Sequence, residues 1–328
     1  MNRLRMADVF CGAGLFSQGF VQAGARPVFA VDLAPDAIET YNKNIAPVAK
    51  VGTVSADTIL PPIDLLIAGP PCQGFSTLGG RDPADNRNSL CLLLPKFAEK
   101  AGAQMAIVEN VPPFLASAHW QEMARAFVDL GFEIETWTLD AAHYGAAQRR
   151  SRTFTIASRI GIPKRPLESR KLKTVADAFA GIAYNDELHR WPEPTALAKS
   201  RMVLIPPLGD KRDVLRAAPE LCPPSWSKMG AQAVDVWGRI NPAQPANTIR
   251  CRFQNPSTGR YIHPTEDRVI SLREGARLQG VPDEWQFAGH AYSVARQIGN
   301  GVPIPLSAAV AHAVVSHIRS LDQIATAA

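Results

Sequence analysis

The residues best suited to chemistry lie in Gly69-Pro70-Pro71-Cys72-Gln73-Gly74-Phe75-Ser76, directly after the apolar run Ile63 to Ala68. That run reads as a buried strand. Two consecutive prolines fix φ and supply no backbone donor, so the strand must stop there and the chain must turn. In an open α/β sheet this position is the carboxyl edge, where ligands bind, and the Cys72 thiol would face a crevice. A lone cysteine is more often a small buried hydrophobe. Here the rigid proline flanks and the polar, glycine-containing run that follows favour a nucleophile.

Two other stretches carry groups that could assist a thiol. Gln104 to Val108 reads as another strand and ends in Glu109-Asn110-Val111-Pro112. A carboxyl at that end, beside the end of the Cys72 strand, would be partly desolvated and would keep a proton to donate. Tyr144 to Arg152 reads Tyr-Gly-Ala-Ala-Gln-Arg-Arg-Ser-Arg, and Arg150 and Arg152 share a face if the chain is already extended there. Taken singly, a glutamate or an arginine pair is more often solvated surface.

Positioning these groups needs a sheet with turns at one edge. Leu4 to Phe10 is a short apolar strand, and Cys11-Gly12-Ala13-Gly14-Leu15 leads from it into a helical pattern. A glycine turn between strand and helix is the opening of a nucleotide-binding unit, with ligand polar groups at the helix amino terminus. Val28 to Val31 is a second strand ending in Asp32, about twenty residues after the turn, where a carboxylate can bond a ribose hydroxyl pair. Pro35 to Asn44 reads as a helix, and Asp57-Thr58 precedes the next strand at the same edge. Thr77 to Asn88, with Arg81 and Arg87, has the composition of a lid. Helix His119 to Leu130 and strands Phe132 to Leu139 and Thr153 to Ala157 continue the alternation, which predicts an α/β, doubly wound, Rossmann-like sheet.

From about Ile162 to Pro245 the chain is proline-dotted and weakly periodic, which reads as part of a smaller, irregular second domain. Ser271 with Glu274 makes a capping box and a helix start. After Gln297-Ile298-Gly299-Asn300-Gly301-Val302-Pro303 an amphipathic helix carries Leu306, Val310, Val314, Ile318 and Leu321. The expected division is residues 1–161 as the first part of a catalytic domain, 162–290 as the small domain, and 291–328 as a segment returning to the first.

With 328 residues and 46% hydrophobic content, the chain can bury a full core. The absence of an eighteen-residue apolar run or a charged-then-apolar leader predicts no membrane and a cytoplasmic location. Five cysteines without CxxC spacing argue against a disulfide framework or a metal and fit a reducing compartment. The net charge of +5 permits a polyanionic partner, and 25 of the 35 basic residues are arginine, which suits bidentate phosphate or guanine contacts.

Pro-Pro-Cys-Gln, Glu-Asn-Val, Gln148-Arg149-Arg150-Ser151-Arg152 and Gly-Asn-Gly-Val-Pro occur in this order, and the set resembles the DNA (cytosine-5-)-methyltransferase family. The likeness spans nearly the whole chain outside about residues 162 to 245. It departs in small ways: Gly301 stands where the family often has Ser or Ala, and Ala146-Ala147 precede Gln148. The resemblance implies S-adenosyl-L-methionine as cofactor, held by Phe10, Gly12, Gly14, Leu15, Asp32, Asp57, Pro70 and Asn300. It implies Cys72 as nucleophile, Glu109 as proton relay, and Arg150 and Arg152 at a flipped cytosine and its phosphate. Gln73, Ser76, Arg81, Arg87 and Thr248 would touch double-stranded DNA.

The resemblance further implies that the irregular stretch recognises the target, for which Arg201, Lys211, Arg212, Arg216, Lys228 and Arg239 are available. A monomer, paired with a restriction endonuclease, is expected. The same chemistry on RNA is an alternative, but the Cys-Phe-Thr that the RNA-directed branch carries late in the chain is absent. A silent nucleic-acid-binding subunit is another, and it would not need Cys72, Glu109 and Arg152 together.

Overall fold

The computed structural model describes residues 4–71, 86–228 and 235–327. Cys72, Gln73, Ser76 and Arg81 lie outside the described residues, as does the side chain of Arg87, whose backbone opens the 3₁₀ turn Asn86–Leu93. Seven strands form one sheet: β1 (Arg5–Val9), β2 (Arg26–Asp32), β3 (Ala49–Val51), β4 (Leu65–Ala68), β5 (Met105–Asn110), β6 (Glu133–Asp140) and β7 (Ser151–Ser158). Their spatial order is β3-β2-β1-β4-β5-β7-β6. The first five run parallel, and β7 enters antiparallel between β5 and β6. Simple β/α alternation is therefore broken twice, between β3 and β4, which no helix separates, and after β6. The turn at Gly145, which adopts φ 96, reverses the chain into β7 without a crossover helix.

Residues of alternate parity along the strands build two cores. Met6, Leu65, Ile67, Met105, Ile107 and Phe154 face α1 (Leu15–Gln22) and the last helix, whereas Ala7, Leu66, Ala68, Ala106 and Val108 face α3 (Leu94–Lys100) and α4 (Ala118–Asp129). Burial on both faces is why these strands read as unbroken apolar runs. α2 (Pro35–Asn44) covers the edge near β2 and β3 through Ile38 and Tyr41.

After β7 come short helices, α5 (Val175–Phe179), α6 (Ala196–Val203), α7 (Lys211–Ala217) and α8 (Pro224–Lys228), then α9 (Leu272–Leu278), α10 (Ala291–Asn300) and α11 (Ile304–Ala327). The Ser271–Glu274 capping box is present at the start of α9. A small core of Met202, Ile205, Val214, Trp226, Trp237, Ile262 and Val269 belongs to the irregular region. α11 returns to the sheet and lies on α1, where a Cβ on Gly19 would meet the Ser307 backbone at 2.4 Å; only glycine permits that crossing.

Candidate active site

Strand register places the site. Val9 pairs with Ala68 and with Val31, and Ala68 pairs with Val108. The next residues along, Asp32, Phe10, Gly69 and Glu109, therefore share one row at the carboxyl edge. The connections from β1 and β4 run to opposite sides of the sheet, so a crevice opens between these two strands.

Glu109 lies on β5 with its side chain 13% exposed. Its Oε1 is 2.9 Å from Arg152 Nε, and its Oε2 would be 3.5 Å from a Cβ placed on Gly69. The carboxyl thus faces the strand end that leads into Cys72. Burial pushes its pKa above the usual carboxylate value, against the pull of the Arg152 and Arg150 charges. Asn110 Nδ2 donates to the Pro70 carbonyl at 3.3 Å, tying the ends of β4 and β5 together.

The two arginines do different things. Arg152 faces Glu109 and stays at the crevice, whereas Arg150 is 2% exposed. Arg150 donates to the carbonyls of Ile249 and Gly299, at 2.7 and 2.8 Å. Expected at a base or phosphate, Arg150 has terminal nitrogens that hold the C-terminal segments against the start of β7. Gln148, fully buried, does related work by bonding the Leu278 carbonyl, the Gln279 side chain and the Ile249 amide. The buried Ala146 and Ala147 before it enter two different cores.

The glycine turn is a preformed cradle. Phe10, Gly12 and Gly14 all have positive φ, at 64, 51 and 85. Gly14 must be glycine, since a Cβ there would lie 2.7 Å from Ile45 and 2.9 Å from Tyr41, while one on Gly12 would meet nothing within 4 Å. Open space therefore lies above Gly12. α1 begins at Gly14 without a side-chain cap, so its first amides are available to an anionic group. Asp32 accepts from the Gly12 and Ala34 amides at 2.9 and 3.0 Å, fixing the turn to the end of β2. Asp57 is exposed in the loop after β3, with its amide donating to Ser55 Oγ at 3.3 Å.

Leu15 is buried against Gly301, whose added Cβ would lie 2.4 Å from Leu15 Cδ2. This packing suits the glycine at a position where the family often has Ser or Ala, and it brings the exposed Asn300 beside the cradle. Pro70 is buried with its carbonyl taken by Asn110. Thr248 Oγ1 donates to the Arg149 carbonyl at 2.8 Å, in an open recess also lined by Asn247, Arg250, Arg260 and Tyr261.

Sequence reasoning missed Leu33, 65% exposed beside Asp32, and Ile59, 87% exposed beyond Asp57. An aliphatic residue directly after a strand-end acid was the available signal. It also missed Asp8, an acid inside an apolar strand. Of the expected base readers, Lys211 and Arg239 are buried, at 1% and 5% exposure, and Arg201 is spent on the Leu221 carbonyl and the faces of Trp226 and Trp237. Arg212 pairs with Asp210, and Arg216, paired with Asp213, remains largely exposed.

Comparison with known proteins gives the family. The type II methyltransferase M.XorII of Xanthomonas oryzae pv. oryzae is 30% identical, with 97% of this chain and 86% of that protein covered. The type II methyltransferase M.Eco47II of Escherichia coli is 29% identical over 98% of this chain and 81% of its own length. The solved structure of the Entamoeba histolytica methyltransferase EhMeth superposes with a TM-score of 0.71 over 97% of this chain and 99% of its own, at 13% identity, a likeness of fold. The family model for C-5 cytosine-specific DNA methylases matches residues 4–316. That match spans nearly the whole chain, from strand β1 into helix α11, and the chain belongs to this family.

Proposed function

We propose that this chain methylates C5 of a cytosine flipped out of duplex DNA, with Cys72, Glu109 and Arg152 acting on the base and the cradle holding S-adenosyl-L-methionine. The observation that carries the reading is the Glu109–Arg152 pair facing the strand end before Cys72. C5 of cytosine is too weak a nucleophile to be methylated unaided. Addition of the Cys72 thiolate to C6, while Glu109 holds a proton at N3, makes C5 electron-rich. Once C5 carries the methyl group, transfer of its proton to a base lets the bond from Cys72 to C6 break and frees the thiol. Arg152 keeps Glu109 in place and lies where it can also touch the base. Arg150 is a positioning residue.

The cradle fits the proposed cofactor. Asp32 lies where a ribose hydroxyl pair would sit, and the first amides of α1 suit a carboxylate. Leu33 and Ile59 offer apolar surface to a purine, with Asp57 available for its amino group; Phe10, Pro70 and Asn300 complete the walls. When bound, S-adenosyl-L-methionine supplies an electrophilic methyl group on a sulfonium.

Gln73, Ser76, Arg81, Arg87 and Thr248 are proposed for DNA, and the exposed Arg149 and Arg250 join Thr248 at the recess as phosphate contacts. Residues 162 to 245 are proposed to read the target sequence, within the division at 161 and 290. A monomer is proposed, and the relatives' type II designation fits a partner restriction endonuclease. No single helix among the described residues is long and apolar enough to cross a membrane. Incubating the protein with methyl-labelled cofactor and duplex DNA or RNA, then mapping modified cytosines by bisulfite sequencing, tests the reading. Label should enter duplex DNA at one sequence; label in RNA alone, or in neither, would overturn it.

A further inference from the structure

Asp8 is a buried carboxyl that the proposed chemistry does not use. It lies on β1, two residues before Phe10, and is 1% exposed. Ser17 Oγ, on α1, donates to Asp8 Oδ2 at 2.7 Å and lies 2.9 Å from the hydroxyl of Tyr41, on α2. Ser17 and Tyr41 are fully buried. The same Tyr41 ring packs where a Cβ on Gly14 would be, so this chain of hydrogen bonds runs beneath the cradle. Besides the Ser17 hydroxyl, the groups that Asp8 feels are Tyr41, Asp32 and Cys11, and none brings positive charge. Among the described residues Asp8 has no ion pair. A sealed carboxyl with hydroxyl partners and a carboxylate nearby keeps its proton, because burying its charge unpaired is costly. Consistent with this, burial raises its pKa to about 8, with Ser17 opposing and Asp32 reinforcing the shift.

Resting on the cofactor reading above, we propose that Asp8 exchanges its proton for the charge of the cofactor: it ionises when a sulfonium occupies the cradle and is protonated again when a neutral thioether remains. The proton passes to solvent on binding and returns after transfer, so no other reactant is needed. A cation over the cradle favours the carboxylate, and its loss leaves an uncompensated buried charge that reprotonates. Asp8 is thus a positioning residue that holds the substrate form of the cofactor more tightly than the product form.

The deciding measurement is the affinity of the protein for S-adenosylmethionine relative to S-adenosylhomocysteine as pH rises. One pKa unit of linkage corresponds to about tenfold. The ratio in the unaltered protein should therefore climb by roughly tenfold from about pH 6 to about pH 9 relative to Asp8→Asn, which also cancels titration of the ligands' own amino groups. Equal pH dependence in the two proteins would overturn the proposal and leave the cofactor reading intact; failure of the unaltered protein to bind either ligand would refute the cofactor reading itself. Should Asp8→Asn not fold, infrared difference spectra in a Glu109→Gln background replace it. A protonated-carboxyl band present with the thioether and lost with the sulfonium supports the exchange, and an unchanged band contradicts it.

Discussion

The carboxyl edge of the sheet and the irregular stretch from residue 162 to 245 treat charge in opposite ways. At and beneath the edge, acids have few partners: Glu109 has Arg152 and nearby Arg150, Asp32 has two backbone amides, and the sealed Asp8 has a hydroxyl. In the irregular stretch the buried Arg239 and the part-buried Arg201 are used as struts. Arg239 donates to the carbonyls of Met202, Ile205, His263 and Glu266 and pairs with Asp267. Arg260, from just beyond, reaches the carbonyls of Leu208, Gly209 and Arg239. Sheet ladders satisfy their own backbone, so strand ends can spend side chains on chemistry. A chain with few ladders leaves carbonyls over, and the five-donor fork of arginine satisfies several at once.

Losing a group at the edge should therefore cost activity, while losing a strut should cost stability. The largest effect is expected for Glu109→Gln: single-turnover methylation should slow by about two to four orders of magnitude, with unfolding unchanged. Because burial raises the pKa of Glu109, the protonated donor is present below that raised value and disappears as pH rises through it. The wild-type rate should fall along that limb, and the variant should lack it. A near-normal rate in Glu109→Gln would make this carboxyl mere surface and erase the contrast.

Exchanging residues 162 to 245 for those of a relative with another specificity should move the methylated site while leaving turnover within the usual range. Bisulfite mapping reads the outcome, and an active chimaera that still marks the original site would place recognition elsewhere. Within the stretch, Arg239→Ala should destabilise the fold by about 3–5 kcal/mol in urea titrations, as expected for a buried partner removed from its bonds. Arg216→Ala, at a largely exposed side chain, should stay within about 0.5 kcal/mol. Similar losses for the two would mean that the struts do not carry the region.

Within the edge itself, a finer contrast separates the two glycines of the cradle. Gly14→Ala meets Tyr41 and Ile45 and should lower stability by about 1–3 kcal/mol through strain and overpacking. Gly12→Ala meets no neighbour, so beyond the backbone strain of its positive φ it should act on cofactor affinity, read by equilibrium binding.

Much of the edge was legible in the sequence because strand ends are punctuated there: Gly-Pro-Pro after β4, glycines after β1, and an acid ending β2. Helix Pro35–Asn44 was readable to the residue, since proline opens it and its buried face repeats at helical spacing. The antiparallel entry of β7 was not legible, because an apolar strand buried on both faces reads the same in either direction. Nor was the split between Arg150 and Arg152. Two arginines at alternate positions look alike in sequence, and only the return of segments around 249 and 299 decides which one is sealed. The struts failed to show for the same reason, as their acceptors are carbonyls distant in sequence.

The central claim is that the strand-end thiol attacks the base and the neighbouring carboxyl assists it. Duplex DNA carrying 5-fluorocytosine at the methylated position tests this most directly, because fluorine cannot leave C5 as a proton does and the adduct cannot resolve. With cofactor present, a denaturation-resistant complex should form whose DNA-bearing peptide contains Cys72. It should be lost in Cys72→Ala, which should still bind cofactor, and it should form far more slowly in Glu109→Gln. An adduct on Cys11, Cys91, Cys222 or Cys251, or methylation that continues in Cys72→Ala, would contradict the account.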